Sequence, residues 1–180
     1  MTLRTRPVDP RVARTQRQLH EALLELTLER GWDALSVQQV CERAGVGRST
    51  FYVHFADNEE LLLHGFRREH LVPHANGTFG FLRPLVEHVS EHRALYLALL
   101  GTRCERAVRN RFMGIVSDLI ETDVARLAPA SPQRTAAVRY LSGACHETLT
   151  WWLEQRTPLP TLEIERSLRQ FSSGAIAQLR

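Results

Sequence analysis

The chain contains no lysine; all 23 of its basic residues are arginine. It has no run of eighteen apolar residues, which excludes a membrane-spanning helix. Its N-terminus, MTLRTRPVDPR, carries charge but no apolar stretch, which excludes a secretory signal. Cysteine is scarce. Cys41, Cys104 and Cys145 are odd in number, widely spaced and form no CxxC pair. That excludes a disulfide framework and fits a reducing cytosol in which each thiol packs as a small hydrophobe. No nucleophile elbow, phosphate loop, dinucleotide fingerprint or carboxylate pair occurs, so the expected reading is not an enzyme and no cofactor is expected. Strand signals and internal repeats are also missing. The expected fold class is all-α.

What is present is a strong helical period. The 180 residues suffice to bury a core without staples. Asp9-Pro10 starts a first helix, with Asp as N-cap and Pro at the first helical position. Leu19, Ala22, Leu23 and Leu26 follow at helical spacing, and Arg30-Gly31 ends it. Ser36-x-x-Gln39 is a capping box that opens a helix over 37–44. Gly45 stops that helix, and another short one starts near Gly47. Asp57-x-x-Glu60 opens a fourth, expected to run through Phe66 to about Val72. PHANGTFG, residues 73–80, reads as a connection. Residues 81–101 carry one or two helices with a break near His92-Arg93. Residues 104–127 give a clean amphipathic helix. Long helices over 133–156 and 161–179 complete the chain. The expected organisation is a basic arm at 1–10, a small helical unit at 11–72 and a larger one at 73–180.

The stretch GVGRSTFYVHF, residues 45–55, is unusually dense in hydrogen-bonding side chains. Two short helices joined by a glycine-containing turn make a helix-turn-helix, whose second helix enters the DNA major groove. Phe51 and Phe55, four apart, would face the core with Val46. Arg48, Ser49, Thr50, Tyr52 and His54 would then be left for phosphates and base edges. Arg4 and Arg6 lie in an arm that holds Arg11, Arg14 and Arg17 against the single acid Asp9. Such an arm reads equally as a phosphate-binding footprint and as a solvated tail.

SVQQVCERAGVGRSTFYVHFADNEELL resembles the N-terminal domain of TetR/AcrR transcriptional regulators. The shared pattern is Ser36, Ala44-Gly45-Val46, Ser49, Thr50-Phe51-Tyr52, His54-Phe55 and Asp57-Asn58-Glu59-Glu60-Leu61. LHEALLELTLERGWDALS fits the family's first helix and the turn after it. EHRALYLALLG resembles a segment of one subgroup. The resemblance implies a nine-helix homodimer that binds a palindromic double-stranded DNA operator, is released by a small-molecule effector and sits in the cytoplasm, most often as a repressor. It implies phosphate contacts for Thr50, Tyr52, His54 and Ser36, and base reading by Arg48 and Ser49. Asn58 stands where the family commonly has a phosphate-binding lysine, which weakens the contact expected there. Val53 departs from a position that is often polar or aromatic, and would touch a thymine methyl or nothing.

In the larger unit, His92, Tyr96, Phe112 and Trp151 are candidate lining residues for an effector pocket. Plain core packing is the competing reading for the aromatics. Trp152, Ile164, Leu168, Phe171 and Ala175 are candidate dimer-interface residues, because the last two helices carry more apolar surface than one protomer would cover. His88 and His92 share a helix face at the spacing of a zinc pair, but the sequence names no third or fourth ligand, so no metal site is expected. Cys145 and His146, adjacent on a helix, point about 100° apart and cannot act as a pair. Two competing readings are a relative that has lost specific operator binding, suggested by Asn58, and a helical metal-binding or enzymatic protein using residues 81–152.

Overall fold

The computed structural model describes residues 9–66 and 77–177 of the chain. Arg4, Arg6 and the expected boundary near 72–73 lie outside the described residues. Among those described, the fold is all-α with nine α-helices: α1 (Pro10–Arg30), α2 (Val37–Ala44), α3 (Arg48–His54), α4 (Asn58–Gly65), α5 (Leu82–Glu91), α6 (Arg93–Leu99), α7 (Glu105–Val124), α8 (Pro132–Glu154) and α9 (Thr161–Ala177). A 3-10 turn, Trp32–Ala34, links α1 to α2. None of the described helices is long and apolar enough to cross a membrane.

The helix boundaries follow from local chemistry. The Asp9 carboxylate caps α1 by accepting from the Arg11 N–H at 2.9 Å. Ser36 and Gln39 form the expected reciprocal box on α2. Asp57 caps α4 by accepting from the Glu60 N–H at 2.8 Å. Glu60 departs from the box, reaching one residue further back to accept from the Ala56 N–H. The break between α5 and α6 falls at His92, which belongs to neither helix.

Two apolar clusters hold the fold. One gathers Leu19, Leu23 and Leu26 of α1 with Val40, Phe51, Phe55, Leu61 and Leu62. The other gathers α5, α7, α8 and α9 around Leu85, Val116, Ile120, Leu149 and Trp152. The first cluster is not closed by the N-terminal helices alone. Leu99 at the end of α6, Cys104 and Val108 of α7 are buried in it. Phe66 packs against both clusters. The helix pair α2–α3 therefore shares its core with the helices behind it.

Candidate nucleic-acid interface and interior cavity

The turn between α2 and α3 is set by Gly45, whose φ of 64° and ψ of 31° lie in the left-handed region. A side chain there would meet its own carbonyl, costing about 1–2 kcal/mol. With Gly45 in place the Val46 N–H reaches back to the Cys41 carbonyl at 3.0 Å and the Gly45 N–H to that of Glu42. This closes α2 and turns the chain into α3 within two residues. Arg43, in the last turn of α2, donates to Glu29 and Glu25 of α1, which fixes α2 against α1.

On that base, α3 divides as its spacing demands. Phe51 and Phe55 are fully buried, 5.9 Å apart between ring centres, and Val46 is half-buried beside them. Arg48, Ser49, Thr50, Tyr52 and Val53 are exposed, and His54 is half-buried. The structure thus brings five of the expected contact residues onto one short helix. The Ser36 hydroxyl is exposed but already engaged with Gln39 as the cap of α2. Asn58 differs from expectation. It is only 9% exposed, at the start of α4, and its buried Oδ1 has no hydrogen-bond partner. It lines the same recess as Trp32, and its short neutral side chain does not project as a lysine would.

Behind the first cluster lies a cavity of about 150 Å³. Val89, Leu99, Val108, Phe112, Leu149 and Leu153 give it apolar walls, with Tyr96 across from them. Glu105, Arg109, His146, Glu147 and Thr150 add polar groups. Arg109 and Glu147 pair at 3.0 Å with both side chains more than half exposed, so they stand at the mouth. Burial pushes the Tyr96 phenol well above its ordinary value, so it is a neutral hydroxyl. Tyr96 and Phe112 also wall a second, smaller space lined by Phe66 and His88.

Two of the four expected lining residues are therefore in place, Tyr96 and Phe112. The other two are corrected. His92 is not on the cavity wall; its Nδ1 lies 2.9 Å from the His88 carbonyl and its ring packs at a tilt on that of His88, 4.4 Å between centres. Trp151 is 50% exposed on the outer face of α8. His146 was missed. Its ring meets Phe112 edge to face at 5.7 Å, and the spacing of His146, Leu149, Thr150 and Leu153 along α8 was the signal for it.

The expected interface residues are corrected in the same way. Trp152 is 2% exposed and donates its indole N–H to the Leu159 carbonyl at 2.8 Å, which pins the turn between α8 and α9. Ile164 and Leu168 are buried inside the same protomer, and Ala175 is half-buried against that core. Only Phe171, 65% exposed, faces outward. The outer faces of α8 and α9 instead present Tyr140, Ala144, Trp151, Phe171 and Gly174.

The three cysteines are buried and free. Burial pushes the Cys145 thiol up to about 12, so it packs as a hydrophobe. Among the described residues no group of three or more His, Cys, Asp or Glu is placed to hold a metal ion.

Residues 19–64 match the family model for bacterial regulatory proteins of the tetR family. Residues 78–174 match that for a transcriptional regulator C-terminal region. Among solved structures, a TetR transcriptional regulator from Streptococcus agalactiae 2603V is similar with a TM-score of 0.67 at 21% identity, over 90% of this chain and 95% of that one. The dihydroxyacetone kinase operon activator DhaS gives 0.64 at 18% identity, over 92% and 96%. NalD of Pseudomonas aeruginosa, the secondary repressor of the MexAB-OprM multidrug efflux pump, gives 0.61 at 20% identity, over 92% and 96%. At these identities the likeness is one of fold. No curated protein matches the chain.

Proposed function

This chain belongs to the TetR family of bacterial regulatory proteins, and we propose that it is a cytoplasmic homodimeric repressor that binds a palindromic operator and is released by a small molecule. The observation that carries the proposal is the division of α3: two aromatic rings anchor it, while Arg48, Ser49, Thr50, Tyr52 and Val53 are exposed and His54 is half-buried. Such a helix can lie in a major groove while its base stays fixed. Arg48, at the start of the helix, reads a base edge, with guanine its natural partner. Tyr52 and His54 go to phosphates, and Ser49 and Thr50 to bases or phosphates. Ser36 brings the free N–H groups of α2's first turn to a further phosphate. The Asn58 contact of the family is dropped from this reading, because that side chain is buried. Arg4 and Arg6 add positive charge for the phosphate backbone.

The partner copy docks on the outer faces of α8 and α9, through Trp151, Tyr140 and Phe171, which one protomer leaves uncovered. The effector occupies the cavity at Tyr96 and Phe112, and its size is that of a small, mostly apolar molecule. It releases DNA only by binding the DNA-incompetent arrangement more tightly. Repression is favoured as the simplest outcome of occupying an operator.

Selection of binding sites from random duplex DNA, followed by footprinting, tests this reading. The expected result is a two-fold symmetric site with half-sites about one helical turn, ~34–36 Å, apart. Deleting residues 1–8 should flatten the log–log salt dependence by up to about two units per protomer. Selection that returns no preferred sequence would overturn the reading.

A further inference from the structure

Val53 is the most exposed large apolar side chain among those described, at 76%. It is the next-to-last residue of α3, on a surface whose other exposed side chains are polar. A β-branched aliphatic gains nothing from water and is a mediocre helix former. At about 100° per residue, Val53 lies roughly 180° from the mean direction of Phe51 and Phe55. It is therefore at the centre of the outward face, directly opposite the anchors. Ser49 and Thr50, one turn earlier, flank the same direction, whereas Tyr52 lies roughly 100° from it and Arg48, exposed as the first residue of the helix, roughly 140° from it. The deepest point that α3 can offer to a groove is an isopropyl group with no polar atom.

We propose that Val53 is a specificity-determining residue that reads the C5-methyl of a thymine in each half-site, with the Ser49 and Thr50 side chains on either side of it. This rests on the proposed DNA-binding function. The chemistry is that of the major groove. Of the base-edge features there, only the pyrimidine C5-methyl is apolar. A valine pressed on a donor or acceptor would strip its water and return no hydrogen bond, so such bases are rejected. A thymine methyl and Val53 instead bury one another. A methylated cytosine offers the same group on a different base pair; thymine is assigned because it needs no modifying enzyme.

The test uses the full-length protein and a duplex that the wild type selects from random DNA. Each thymine is replaced in turn by deoxyuridine, which removes the methyl and keeps every hydrogen-bonding group. At one position per half-site, wild-type affinity should fall about fourfold, the value of about one methyl group removed from water. The Val53→Ala protein should bind the thymine duplex more weakly by a similar factor and show little further loss on the deoxyuridine duplex. Its thermal unfolding should match the wild type, since the side chain packs on nothing. Equal methyl sensitivity of wild type and Val53→Ala at every position would overturn the assignment. So would sensitivity only to 5-methylcytosine. A selection that returns no site would refute the DNA-binding reading itself, which separates that failure from this one.

Discussion

The ring of Tyr96, on the cavity wall, meets the ring of Phe66, just past the end of α4, edge to face at 6.2 Å. Arg111 of α7 donates to the Phe66 carbonyl at 3.0 Å and holds it there. Two residues before Phe66, in the last turn of α4, the His64 ring packs on Phe55 at 5.3 Å, and Phe55 anchors α3. A continuous set of packed groups thus runs from the cavity to the recognition helix. Replacing Phe66 with Ala should cost about 2–3 kcal/mol by urea unfolding, at the lower end for a phenylalanine because the site is half-buried. Thr150→Phe, which places a ring in the cavity, should change affinity for a selected operator in the wild type and have little effect in the Phe66→Ala background. Equal effects in both would remove Phe66 from the route.

Gly65 of α4 faces the His20 side chain of α1. A Cβ on it would stand 1.9 Å from His20 Nε2. Gly65→Ala should therefore displace the imidazole and destabilise the chain by about 1–3 kcal/mol. Because the obstacle is a side chain, Gly65→Ala in a His20→Ala background should cost much less. Chemical denaturation of the four proteins measures the coupling, and additive effects would contradict this account of the packing.

Arg43 gives a pH dependence. Its hydrogen bond holds the Glu29 carboxyl below its ordinary value of 4.5. A carboxyl with a depressed folded-state value stabilises the fold above the unfolded value and stops doing so as the pH falls through the folded one. The difference in Tm between wild type and Arg43→Gln should thus be full at neutral pH and shrink below about pH 4.5. Both partners are exposed to solvent, so added salt should shrink it too. A gap independent of pH from 7 to 3 would rule out the ion pair as its source.

The two apolar positions of α9 should behave differently. Phe171→Glu puts a charge on an outer face, so sedimentation should show monomers with an unchanged far-UV spectrum. Leu168→Glu buries an unpaired carboxylate in the core and should unfold the chain at ordinary temperatures. If Phe171→Glu leaves a dimer intact, the partner does not sit on this face.

The legible parts of the sequence were those governed by local rules. Asp9, Ser36, Gln39, Gly45 and Asp57 act within four residues of themselves, so the starts of α1, α2 and α4 are legible from spacing alone; the end of α4 is not, since it stops at Gly65 where the pattern predicts helix through Phe66. The division of α3 followed from Phe51 and Phe55 for the same reason. Periodicity failed where a helix has two apolar faces. Trp151 and Trp152 are neighbours with opposite fates, and nothing local says which faces the core. The answer depends on where α9 returns, which Trp152 itself fixes through the Leu159 carbonyl. The burial of Asn58 is not legible locally, because it depends on the tertiary packing of Trp32 beside α4. The role of His146 is not legible locally because its partner Phe112 is on another helix.

The central claim is that the outward face of α3 binds DNA. Its most direct test is a footprint of the variant in which Arg48, Thr50, Tyr52 and His54 are all replaced by Ala. Three of these side chains are exposed and His54 is half-buried, so the variant should fold, with thermal unfolding close to that of the wild type. The account predicts that protection of the selected operator disappears at every protein concentration at which the wild type protects it. A folded variant that still protects the same bases would contradict it.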